Sequence, residues 1–387
     1  MTRATERLHY MDNLRALIMI AGIFYHASHA YNTQTNPLWI SSDIVQSQVL
    51  VILFEFMHIW RMPIFFVVAG FFTAFLIQRQ GIRNMLKNRL FRVGIPLLVF
   101  WPLLMIAFYL CILWAVDNVE NKSTMLQLLT NRQKMPDGPL HLLSLAHLWF
   151  LYYLMIFYAI TCAFKKLPLS NIKTFIINIH PVLAIILLPV LLVPGLSLTV
   201  IHIRPTHSFI PEIWAILFFG MFFAYGYILF SSPRLLDYFQ RTWPILLISA
   251  LIIFIPIGYL YPPVSSNPLS IPFQPKWSVR LPLILCIAYI STFMCIVCLV
   301  VAKKVLNNHN QFMRYMSDAS YWIYIVHLPI LLMIQFWLLD QNATAVNKFL
   351  FSSLTTLVIC ALSYILFVRW SPIGWLLNGQ RKPVFLT

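Results

Sequence analysis

The chain has 387 residues, 60% of them hydrophobic and only 10% charged, with a mean hydropathy of +0.79. That balance excludes an ordinary soluble domain and indicates an all-α, polytopic integral membrane helix bundle. A net charge of +16 would suit a nucleic-acid surface, but the basic residues stand between apolar runs, so membrane-flanking charge accounts for them and no nucleic-acid partner is expected.

A crossing of the hydrocarbon core needs about 20 apolar residues. Runs of that length predict about ten spans, near 12–31, 46–78, 94–116, 144–163, 175–200, 211–230, 243–261, 281–302, 315–338 and 347–369. The first, "MDNLRALIMIAGIFYHASHAY", carries Arg15 and His26 eleven residues apart, which at 100° per residue leaves them within about 20° of one another on one helix face. Asp12 shares that face. Ionisable groups inside a bilayer cost at least about 2.5 kcal/mol near the midplane, so this face is expected to point at a lumen. Histidine suits proton transfer near neutral pH, which makes His26 a candidate base. The competing reading is a buried histidine bonded to a neighbouring helix, and His29 reads as an interfacial residue.

The second run exceeds thirty residues, about 50 Å of helix, too long for one straight crossing. Pro63 in "HIWRMPIFFVVAG" offers a break, and Glu55, His58 and Arg61, spaced by three, suggest a polar pocket beside it. An ion pair of Glu55 with Arg61, bridged by His58, would instead pin the broken helix. The third span opens with "LKNRLFRVGIPLL", where Arg89 and Arg92 share a face and suit phosphate groups, against ordinary positive-inside charge as the alternative. Further along, "AHLWFLYYL" offers His147 and Trp149, and "SYWIYIVHLPI" offers Ser320, Tyr324 and His327 on one face. For these, packing or interface anchoring competes with a place in a substrate pocket.

Six cysteines lie almost entirely in apolar runs, and the pair Cys295 and Cys298 lacks partners for a metal site, so no metal is expected. With the N-terminus inside, eighteen Lys and Arg fall in inner segments and seven in outer ones, which predicts cytoplasmic tails near 1–11 and 370–387. No soluble domain or repeat interrupts the pattern, so residues 1–387 read as one membrane domain. A proton-coupled secondary transporter of a small polar solute is the alternative class, because broken helices with buried charges also mark solute paths.

Arg15 and His26 with ten residues between them, then "FFVVAGFF", then Arg89-x-x-Arg92, then late "SYWIYIVH" together resemble the membrane acyltransferase-3 family over nearly the whole chain. The resemblance implies acyl transfer across the bacterial inner membrane, from cytoplasmic acyl-CoA to an extracytoplasmic sugar hydroxyl, with no permanently bound cofactor. It implies that Arg89 and Arg92 hold the CoA phosphates, that Arg15 and Asp12 lie on the path, and that His26 is the general base. The runs "EFMHIWRMPIFFVVAGFF", "RVGIPLL" and "HLWFL" look most like the branch implicated in succinylating periplasmic glucans, which favours a succinyl group over acetyl and a glucan acceptor, with other glucan-synthesis proteins as partners. The O-antigen acetylase branch has an acidic residue soon after its fourth-span Trp, whereas "HLWFLYYL" has none.

Overall fold

A computed structural model describes residues 9–32, 39–130, 144–164, 180–199, 206, 208–260, 276–308 and 310–378, and among these there are helices and no strand. In chain order the helices are α1 (His9–Ser28), α2 (Gln48–Arg89), α3 (Ile95–Asn118), α4 (Thr124–Thr130), α5 (Trp149–Phe164), α6 (Pro181–Ser197), α7 (Ile213–Ser231), α8 (Pro233–Leu260), α9 (Trp277–Val305), α10 (Gln311–Leu339), α11 (Ala345–Ser363) and α12 (Pro372–Asn378). Each expected span overlaps one of them. Among the described residues seven helical stretches are long and apolar enough to cross a membrane, one of which, Gln48–Asn118, runs through 71 residues and contains two of the expected crossings. Asp12, Asn13, Arg15 and His26 dilute the hydropathy of α1, which is why it falls outside those seven.

The expected break at Pro63 is not where the chain breaks. Pro63 is buried inside α2, and the one residue of that helix with non-helical torsions is Gly81, at φ 79° and ψ 166°. A proline removes one backbone donor and crowds the preceding turn, but a helix clamped by neighbours tolerates both. Gly81 instead takes up a backbone conformation that is essentially reserved for glycine. Gly81 falls in the stretch over which the chain reverses: α2 arrives from Ser47, whose backbone N–H donates to Tyr31 O, Arg92 O at the far end accepts from Tyr321 Oη, and Asn121, just past α3, is back beside Asp340. A π-helical turn, Leu90–Gly94, joins the arm after Gly81 to α3.

Cross-helix hydrogen bonds define two ends of the bundle. At one end, Asn13 Nδ2 donates to Leu306 O and Lys303 Nζ pairs with Asp237 Oδ1 at 2.7 Å. At the other, Gln335 Nε2 donates to Ala27 O and Arg280 Nη2 donates to Ser197 O. Beyond residue 370 the chain forms α12, whose Asn378 Nδ2 donates to Asp318 O and whose Gly374 lies against Val368 O.

α2 and α7 meet through paired glycines. A Cβ on Gly70 would sit 1.9 Å from Phe223 O, and one on Gly226 would sit 1.9 Å from Val67 O, so only glycine permits this separation. Around the seam, Phe66, Phe150, Phe157, Phe219 and Trp149 pack edge-on and tilted into an aromatic core. The resulting rigid block holds one wall of the site below.

Candidate active site

His26 stands in the last turn of α1 and His29 opens the 3-10 turn His29–Tyr31 that continues it, and the two rings lie 5.9 Å apart. Three neighbouring elements bring further imidazoles to them. The His26 ring lies 5.3 Å from that of His327 on α10, and His327 lies 5.1 Å from His147, which stands in the 3-10 turn Ala146–Leu148. From α2, His58 Nδ1 hydrogen-bonds to the Tyr25 hydroxyl at 2.5 Å. His26, His29, Glu55 and His58 are half-buried, whereas Arg61, His147 and His327 keep 7%, 6% and 2% exposure, so the group forms a basin with a closed floor.

Backbone carbonyls fix two of these rings. His327 Nδ1–H donates to Tyr324 O at 2.8 Å, and His147 Nε2–H donates to Ile325 O at 2.9 Å. A carbonyl only accepts, so the proton stays on those nitrogens and the lone pair of His327 is carried by its buried Nε2. His147 is further set by the preceding residue: Ala146 has φ 44°, in the left-handed region that side chains other than glycine seldom adopt. Such strain at a site residue is held in place by surrounding structure, here the bond from Ala146 N–H to Ser144 Oγ at 3.0 Å.

Arg61 sits at the floor. Its guanidinium carbon lies 4.4 Å from the Tyr25 ring centroid, and its Nη1 faces Gly22 so closely that a Cβ there would come within 3.2 Å. The expected ion pair with Glu55 does not form, since Glu55 Oε1 accepts from Asn32 Nδ2 and no carboxylate of the described residues pairs with Arg61. Stacking on a tyrosine face gives about 2 kcal/mol when desolvated, less than the lowest figure for placing a charge in a bilayer.

A segment before α2 roofs the basin. Trp39 lies nearly parallel to the His26 ring at 6.1 Å and tilted against His29 at 4.9 Å. Its Nε1–H and the Ser41 hydroxyl both donate to Gln335 Oε1. The segment is anchored by Asp43, whose carboxylate takes Lys348 Nζ at 2.6 Å, with both side chains almost wholly buried.

The other ionisable candidates stand at the opposite end of α1. Arg15 pairs with Asp12 at 3.7 Å, lies 5.9 Å from the Phe72 ring, and is separated from His26 by about 16 Å along the helix axis. Arg89 stacks 5.5 Å from Tyr158, and Arg92 is in electrostatic reach of both Arg89 and Arg15. The three arginines therefore form one cationic cluster, and a cleft lined by His9, Asp12, Asn13, Arg314 and Ser317 opens beside it.

Of the residues expected in a pocket, His58, Arg61, His147 and His327 join His26, Glu55 stands at the rim, and Trp149 packs in the aromatic core against Phe219 at 5.3 Å, away from the basin. Ser320 is buried and donates to Ser317 O, whereas Tyr324 borders the basin and donates to His147 O. His29, read as interfacial, belongs to the basin. Tyr25 and Trp39 were not anticipated: Tyr25 adjoins His26 in sequence, but nothing in its neighbourhood distinguishes it from a packing aromatic.

A family model described as an acyltransferase domain, acyltransferase-3, matches residues 8–368. Proteins named glucans biosynthesis protein C, from Salmonella typhi and Salmonella typhimurium, are 24% identical over 385 residues, covering 97% of this chain and 95% of theirs. No solved structure matches.

Proposed function

Because the chain belongs to the acyltransferase-3 family, we propose that it moves an acyl group, succinyl in preference to acetyl, from cytoplasmic acyl-CoA to hydroxyls of an extracytoplasmic glucan. The observation that carries this reading is the division of α1, with a cationic cluster at one end and an imidazole basin at the other. Both termini then lie on the cytoplasmic side of the inner membrane, with the arginine end facing the donor and the basin facing the acceptor. Arg89 and Arg92 hold the CoA phosphates, since guanidinium forks bind phosphate oxygens in pairs. Arg15, steadied by Asp12, lines the inner mouth.

Transfer takes place in the basin. The acceptor hydroxyl gives its proton to His26 as its oxygen attacks the thioester carbonyl, the carbon–sulfur bond breaks, and the proton passes to the departing thiolate. The products are a sugar ester and CoA with a free thiol. The similarity to glucans biosynthesis protein C supports the choice of a glucan acceptor. The test is purified protein in liposomes supplied with succinyl-CoA on one side and a β-glucan oligosaccharide on the other. Thiol release together with a mass increase of one succinyl group per modified oligosaccharide is expected; oligosaccharide crossing the bilayer unmodified would favour transport.

A further inference from the structure

Arg61 is a fixed cation walled in by Tyr25, Tyr324 and imidazoles, and no carboxylate of the described residues pairs with it. It is 7% exposed, its Nε has no hydrogen-bond partner, and Gly22 removes the side chain that would otherwise press on Nη1. Electrostatically it is within reach of His26, His29 and His327, so it belongs to the space in which an acyl group would lie beside the base. A permanent charge in so dry a place, with no counter-ion among the described residues, is matched best by a ligand that is itself permanently charged.

We propose that Arg61 receives the free carboxylate of a dicarboxylic acyl group, and thereby makes the basin selective for an acid-tailed donor over a neutral one. The proposal rests on the acyl-transfer reading and specifies its substrate class. A carboxylate presents two oxygens to the guanidinium fork, and binding it turns a site with an unbalanced positive charge into a neutral one. An acetyl group leaves the charge unbalanced until negative charge develops on the thioester oxygen. In a succinyl group, two methylenes separate the reacting carbonyl from the carboxylate, so one end can face His26 while the other lies on Arg61. Tyr25 stacks against the guanidinium, and its hydroxyl is kept in place by His58.

The experiment compares succinyl-CoA with butyryl-CoA, a chain of the same length ending in a methyl group, as donors to a β-glucan oligosaccharide. The readout is the ratio of the two kcat/KM values, which cancels the fraction of active protein. Wild type is expected to favour succinyl by roughly tenfold or more, the usual range for a hydrogen-bonded charged partner, and Arg61→Gln should bring the ratio close to one. Gly22→Ala, which crowds Nη1 without removing the charge, should lower the ratio several-fold and decides the matter if Arg61→Gln does not fold. An Arg61→Gln protein that loses both donors equally, or a wild type without preference, overturns the proposal while leaving acyl transfer standing. Release of CoA from neither donor by wild type overturns both.

Discussion

Replacing Lys348 with methionine tests the anchor of the segment that roofs the basin. The methionine fills much of the lysine stem's volume, so the principal change is the loss of charge opposite Asp43. That carboxylate is 4% exposed and keeps one bond, from Val45 N–H to Oδ1 at 3.0 Å. Removing one partner of a buried ion pair typically costs about 3 to 5 kcal/mol, because the remaining charge is stranded. The double variant Asp43→Asn with Lys348→Met strands no charge, only an amide N–H group, and an asparagine oxygen still accepts from Val45 N–H. It should lie within about 1 to 2 kcal/mol of wild type, giving a coupling of roughly 2 kcal/mol or more in the double-mutant cycle. Denaturant-induced unfolding in detergent micelles supplies the four free energies. Acyl transfer should follow the same order, since Asp43 N–H also donates to Ala30 O at 2.8 Å and so ties the roof to the basin end of the first helix. A single Lys348→Met change costing less than about 1 kcal/mol, or a double variant no more stable than the single, would refute the argument that the pair acts as a clamp.

Three further outcomes are expected. His26→Ala should bind CoA normally but lose transfer by roughly 100-fold or more, and His26→Gln, which cannot cycle a proton, should be nearly as inactive; near-normal turnover in the Gln protein would make His26 a structural hydrogen-bonder. Changing Arg89 and Arg92 together to Ala should weaken CoA binding, measured calorimetrically, more than changing both to Lys, because lysine keeps charge but not the paired fork. Unchanged affinity in the Ala variant would return the two to membrane-flanking charge. Gly226→Ala should destabilise the protein by about 1 to 3 kcal/mol in the same unfolding assay, because its Cβ meets backbone that cannot move without parting α2 from α7.

What the sequence made legible follows from the range over which each signal acts. Crossings are visible because the bilayer imposes a local requirement, a run of apolar residues, and each expected run overlaps a helix. The shared face of Arg15 and His26 is likewise local, set by helix period. His58, Arg61, His147 and His327 could be singled out because ionisable groups in apolar runs are conspicuous. Their meeting point was beyond the sequence, since the four come from three separate elements. Trp149 shows the converse: next to His147 in the chain, it enters the helix that follows the 3-10 turn and is carried to the other side, into the core. The pairing of Asp43 with Lys348 has no local signal, because a partner 305 positions away leaves no trace in either neighbourhood. Pro63 misled because the rule for proline concerns an isolated helix, whereas here flanking helices hold the backbone in register.

Gly81 touches nothing where a side chain would project, so its importance is one of direction rather than contact. From that corner to Arg92 is an arm of eleven residues, about 17 Å of helix, and a swing of about 20° at the corner would displace the arm's tip by about 6 Å. A shift of that size changes the spacing of Arg89 and Arg92, which ride on the arm, from Arg15, which stands on α1. A single backbone angle therefore acts as the aiming device for a cluster it never meets, and a side chain placed there would be felt at the arginine end of the protein.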